Sequence, residues 1–217
     1  KSTTRAYSYS LTQARNARSL ERAVLQEKVT ITSHDGHKSS SQSSQDLYSG
    51  LMVTEQTDEQ LRMAFAHDAL GRMTQEVAAP DSAFEAEVNW AYSLSASERC
   101  QTRIGASGRK ETVWLDGMTR EIRREKQTDS GETYTAWTAE YDVLGRVFRE
   151  TTYDPGNEDV PALSLTTERT FDDWGNVLTE TGADGITQHT LADPVALTGS
   201  SWQTDAKGVA GARTCLL

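Results

Sequence analysis

The chain has 217 residues, of which 36% are hydrophobic, with a mean hydropathy of -0.62 and a formal net charge of -10. That acidity argues against electrostatic binding to nucleic acid or to an anionic membrane surface, and no apolar run approaches the roughly 20 residues a membrane-spanning helix needs. So polar a composition suits a thin β-layer better than a sphere with a deep core.

The first residues carry no charged-then-apolar signal segment. Starting at Lys1 and closing on Thr-Cys-Leu-Leu, the chain reads as a piece of something longer, so the remainder of that chain is an expected partner. Residues 11–29 hold enough Ala, Leu, Arg and Glu for a helix. Yet Leu25, Glu27, Val29 and Ile31 recur at every second position, which predicts a strand over at least residues 24–32. Ser39 to Ser44 lie in a low-complexity Ser/Gln run and are expected to form a loop. Residues 1–50 are therefore an N-terminal β-rich segment with a Ser/Gln-rich loop.

Residues 51–190 carry an internal repeat. Four segments share an aromatic or apolar residue, an Asp, two variable residues, a Gly, and Arg or Asn. They begin at His67, Leu115, Tyr141 and Phe171, so that they lie 48, 26 and 30 residues apart. Asp68, Asp116, Asp142 and Asp172 occupy the first turn position, where a carboxylate accepts a hydrogen bond from the backbone two residues on. Gly71, Gly145 and Gly175 stand where the chain needs a positive φ to re-enter a strand. The second copy has Thr119 there, which predicts a looser or differently shaped turn.

Alternation flanks these turns. Met63, Phe65 and His67 precede the first; Trp137, Ala139 and Tyr141 precede the third; Val147, Arg149, Thr151 and Tyr153 follow it. Each unit is strand, tight turn, strand. The wide first gap has room for a motif-poor hairpin, with Val88, Trp90, Tyr92 and Leu94 on one strand. Asp154 to Pro161 form a loop, and Leu191 to Val195 a degenerate fifth copy within a truncated end, residues 191–217. A hairpin cannot bury an apolar face alone, so the predicted fold is all-β, with consecutive antiparallel hairpins in an extended, curved sheet.

No constellation supports catalysis. His34-Asp35-Gly36-His37 offers two histidines in a turn without further ligands nearby, so no metal is expected. The loop from Asp154 to Asp159 lacks the spacing of an EF-hand. Gly105-Ala106-Ser107-Gly108 misplaces the glycines of a nucleophile elbow. Cys100 and Cys215 form no C-x-x-C pair and are expected to be free thiols. Trp90, Trp114, Trp137, Trp174 and Trp202 sit in or beside strands and are expected to pack in the core. No catalytic residue, cofactor or enzymatic activity is expected.

Tyr141-Asp142-Val143-Leu144-Gly145-Arg146 and its three relatives resemble the YD repeats of RHS proteins. With Ser33-His34-Asp35-Gly36-His37 and the Ser/Gln run, the stretch resembles the RHS portion of the B subunit of bacterial insecticidal Tc toxins. The resemblance covers roughly residues 25–200. It implies a hollow β-shell that wraps a toxic polypeptide, a secreted bacterial virulence protein, and partners in a toxin C subunit and a translocation-channel subunit. The self-cleaving aspartate core that ends other RHS shells is not carried over, because Ala196 follows Asp193-Pro194-Val195 where that core has Gly. The expectation is thus a shell segment that helps deliver a toxin. The alternative is a cell-surface carbohydrate- or protein-binding module, motivated by the tryptophans and acidic loops.

Overall fold

A computed structural model describes residues 3–57, 61–95, 97–157, 160–193, 195 and 198–216. Among these residues the protein is all-β, without a helix, and has 17 strands. They are β1 (Thr4–Arg15), β2 (Glu21–Thr32), β3 (Lys38–Asp46), β4 (Met52–Gln56), β5 (Arg62–His67), β6 (Met73–Ala78), β7 (Ala86–Leu94), β8 (Arg99–Ile104) and β9 (Lys110–Leu115). The others are β10 (Glu121–Gln127), β11 (Thr133–Tyr141), β12 (Val147–Asp154), β13 (Leu163–Phe171), β14 (Val177–Thr181), β15 (Thr187–Asp193), β16 (Thr198–Thr204) and β17 (Thr214–Leu216). Two compact units divide the chain, one of residues 1–93 and 101–110, the other of residues 94–100 and 111–217.

In the first unit, β1 to β7 pair antiparallel in strict sequence order. The predicted strand over 24–32 is there and begins earlier, at Glu21, because β1 pairs with β2 along its whole length from Thr4↔Thr32 to Arg15↔Glu21. The Ser/Gln run is not a loop. It is β3, pairing with β2 from Ile31↔Ser39 to Val24↔Asp46 and with β4 through Ser44↔Thr54. Serine has a weak strand propensity, and here the backbone partners that the neighbouring strands supply override it.

The register aligns one row of mostly small residues across these strands. Gln26, Ser44, Thr54, Ala64 and Val77 are successive cross-strand neighbours on one face, and the last four are at most 8% exposed. The β1–β2 turn reaches back toward the same sheet: the Ala17 N–H donates to the Phe65 carbonyl at 3.2 Å, and the Arg18 guanidinium to Thr74 Oγ1 at 3.0 Å. Val24 and Ala66 complete this small core.

In the second unit, β9 to β17 form a further antiparallel meander in sequence order. Its buried residues are few and small, among them Ala136, Ala139, Thr151 and Ser200. Threonine hydroxyls meet across adjacent strands, Thr151 with Thr166 at 3.0 Å, Thr170 with Thr179 at 2.6 Å and Thr181 with Thr187 at 2.9 Å. Cross-strand pairs, not a deep core, hold these sheets.

Candidate functional site: turn ladder and polar cavity

The repeated Asp residues organise their turns as expected and add one bond more. Asp142 Oδ1 accepts the backbone N–H of Leu144 and of Arg146, each at 2.9 Å, while Oδ2 accepts the Arg146 Nε–H at 2.7 Å. Asp68 with Arg72 and Asp116 with Arg120 repeat this pattern, and Asp172 makes it with the Asn176 amide at 2.9 Å. Each carboxyl therefore sits below its ordinary range. For Asp116 and Asp142 the backbone N–H of the paired arginine is the strongest cause, and for Asp172 it is the Asn176 amide. Around Asp68 burial is the largest single influence and acts upward, but the Arg72 and Leu70 hydrogen bonds together outweigh it.

Gly71, Gly145 and Gly175 take φ values of 79°, 83° and 90°. Thr119 does not loosen its turn. It adopts φ 64°, and its N–H bonds the Asp116 carbonyl at 3.1 Å, as the Gly145 N–H bonds that of Asp142 at 3.0 Å. The Asp116–Arg120 bonds outweigh the strain of a side chain in the left-handed region.

The arginines do a second job that sequence reading missed. Arg120 lies over the Tyr141 ring at 4.4 Å and Arg146 over Phe171 at 4.4 Å, so each turn arginine is covered by the aromatic that opens the next turn motif. Tyr141 also donates its hydroxyl to the Glu121 carbonyl at 2.7 Å. In the first unit, Arg72 lies over Tyr92 at 4.4 Å, and the Tyr92 hydroxyl donates to the Met73 carbonyl at 2.8 Å. Tyr92 thus fills the aromatic position of the motif-poor stretch, which forms β7 as predicted. The partners are 20 to 25 residues apart, a separation that shows no local periodicity. Turns of the same backbone pattern start at Ser33, Gly105, Thr128, Gly182 and Asp205. The signal that could have found them is the glycine at each fourth position: Gly36, Gly108, Gly131, Gly185 and Gly208.

Consecutive turns of a meander fall on alternate edges, so Asp116, Asp142 and Asp172 share one edge of the second unit. Its tips carry Met118, Leu144 and Trp174, exposed at 73%, 72% and 79%. Trp174 is therefore not a core residue. Packing Asp172 and Gly175 into the turn leaves the residue between them pointing outward. The other four tryptophans are half-buried. Guanidinium groups cover three of them: Arg123 over Trp114, Arg124 over Trp137 and Arg213 over Trp202, which also stacks on His189 at 4.9 Å.

His34 and His37 flank a turn in which Asp35 accepts the Ser33 hydroxyl and the His37 N–H; no group of three possible metal ligands occurs among the described residues. Cys100 is buried and Cys215 is exposed. Of the expected loop from Asp154 to Pro161, Asp154 ends β12 and Gly156 has φ 70°, while Glu158 and Asp159 lie outside the described residues. Of the degenerate fifth copy, Leu191 to Asp193 end β15, while Pro194 lies outside the described residues, as do Ala196 and Leu197.

One concave site stands apart from the turns. A cavity of about 430 Å³ in the first unit is lined by Gln13, Gln26, Gln42, Gln56, Ser44, Thr54, Arg15, Glu21 and Arg62. The Ser44 hydroxyl is buried and makes no hydrogen bond.

Hairpin order and turn chemistry together define an all-β array of consecutive antiparallel hairpins. No protein-family model matches the sequence, and no curated protein does. The chain is similar to a component of the Photorhabdus luminescens Tc holotoxin pore with a substitution in TccC3, at 12% identity and a TM-score of 0.48, over 86% of this chain and 11% of that one. It is also similar to chains in the crystal structures of TcdB2-TccC3-TEV (14% identity, TM-score 0.33, 93% of this chain and 15% of that) and TcdB2-TccC3-Cdc42 (10%, 0.27, 96% and 20%). The chain thus spans a fifth or less of the length of these solved chains. At such scores the hairpin assignment rests on the strands and turns themselves.

Proposed function

We propose that the chain is a non-enzymatic wall segment of a secreted bacterial RHS-repeat toxin shell, which encloses a toxic polypeptide and helps deliver it. The supporting observation is the turn ladder: Asp116–Arg120–Tyr141 continues into Asp142–Arg146–Phe171. Each hairpin is tied to the next through its own turn, so the sheet can be extended by adding hairpins without a second layer to support it. On this reading the partners are the rest of a longer chain, a toxin C subunit and a translocation-channel subunit. The parent chain purified with its toxin polypeptide should protect that polypeptide from added protease. Digestion as fast as that of the free polypeptide would refute enclosure.

The second reading is a carbohydrate-binding surface, favoured by the exposure of Trp174. Glycan-array binding by the chain that disappears in Trp174→Ala would support it over the shell.

A further inference from the structure

The cavity of the first unit has polar groups in excess of their partners. Gln26, Ser44 and Thr54 are cross-strand neighbours on its floor, and Gln42, Gln56 and Arg62 form the parallel row two residues away. Ser44 is 1% exposed, and its hydroxyl has no hydrogen-bond partner. Among the described residues, the side chains of Gln13, Gln26, Gln42 and Gln56 also make no hydrogen bond, and half-buried Arg62 makes no ion pair. Arg15, the other cation of the wall, has a carboxylate near it, with Nε 3.9 Å from Glu21 Oε1.

Ser44, shielded and unpaired, carries a desolvation cost unless a ligand or water satisfies it, while Gln26, Gln42 and Gln56 are half-buried beside it and Gln13 is exposed at the rim. Four amides, each offering one acceptor and two donors, match the alternating N–H and C=O groups of an extended peptide. Arg62 supplies a fork suited to one carboxylate. The wall contains no aromatic ring on which a pyranose could stack, which disfavours a saccharide. We propose that this cavity binds a short extended peptide segment, with an acidic side chain on Arg62 and its backbone on the glutamine amides. The site is independent of the shell reading, since a wall segment and a surface module could both carry it.

The test uses the 217-residue chain and a capped pentapeptide, Ser-Gly-Glu-Gly-Ser, followed through the glutamine side-chain amide signals in an NMR titration. Binding should shift those signals. It should weaken about tenfold both in Arg62→Gln and with Gln replacing Glu in the peptide, the loss expected for one charge-assisted pair. Ser44→Ala should weaken it less. Should Arg62→Gln fail to fold, Gln42→Ala serves in its place, with the peptide substitution as the variant-free check. Absence of any shift at millimolar peptide, equal binding of the two peptides, or tighter binding of a galacturonate trimer than of the acidic peptide would overturn the proposal. The protease-protection experiment on the parent chain is unaffected by any of these results.

Discussion

Arg120 is held from two sides. Its Nε–H donates to Asp116 Oδ2 at 2.7 Å within its own turn, and its guanidinium lies 4.4 Å from the centroid of the Tyr141 ring, one hairpin further along the chain. A local turn bond and a cross-hairpin contact thus share one side chain, so loss of the arginine loosens both. The same holds for Arg146, between Asp142 and Phe171. Arg146→Ala should destabilise the chain by about 2 kcal/mol, combining a charge-assisted pair with a part-buried cation–π contact. Arg146→Lys should restore less than half, because an ammonium lacks the planar fork. Urea denaturation of both variants checks this, and full recovery in the lysine variant would contradict it.

The glycine positions give a matched pair of opposite sign. Thr119 occupies φ 64°, so Thr119→Gly should stabilise by about 1 kcal/mol. Gly145 has φ 83°, and a Cβ there would sit 3.1 Å from an Arg120 terminal nitrogen, so Gly145→Ala should cost about 1–2 kcal/mol. Thermal melts of the two variants should move in opposite directions; movement in the same direction would mean that turn strain is not what separates them.

Acid should unlock the turns. Asp68, Asp116, Asp142 and Asp172 all have folded-state pKa values lowered from the ordinary carboxylate value. The unfolded chain therefore takes up protons first as pH falls, and the stability these groups contribute is present above about pH 5 and lost as pH drops through their folded values. Denaturation midpoints should fall steadily between about pH 5 and pH 2. Asp142→Asn should be less stable at pH 7 and show a shallower fall, because it has one such group fewer. An unchanged slope would assign the acid sensitivity to other carboxylates.

Exposure separates the turn tips from the ladder beneath them. Trp174 is 79% exposed, so Trp174→Ala should change stability by less than about 0.5 kcal/mol, although tryptophan truncation in a core costs several times more. A melting temperature lowered as far as that of Arg146→Ala would show that the tip packs against something in solution.

The thiols should also report burial. Cys215 is exposed and Cys100 buried, so a thiol reagent should modify one cysteine at once in the native chain and the second only in denaturant. Mass spectrometry of the partly labelled protein identifies which reacted; rapid labelling of Cys100 would show that β8 opens readily.

What was legible in the sequence was local. Asp68, Asp142 and Asp172 with a glycine three residues on announced their turns, and period-two alternation around them announced β5, β11 and β12, because turn dihedrals and strand pleating act over a few neighbouring residues. What only the tertiary structure decided depended on groups brought together across strands. Ser39 to Ser44 became a strand because β2 supplied backbone partners along its length and β4 did so from Gln42 onward. Thr119 kept a glycine's geometry because Asp116 and Tyr141 both hold Arg120. The glutamine-lined cavity came from register alone: cross-strand pairing set Gln42 beside Gln56 and Arg62, a proximity no spacing along the chain encodes.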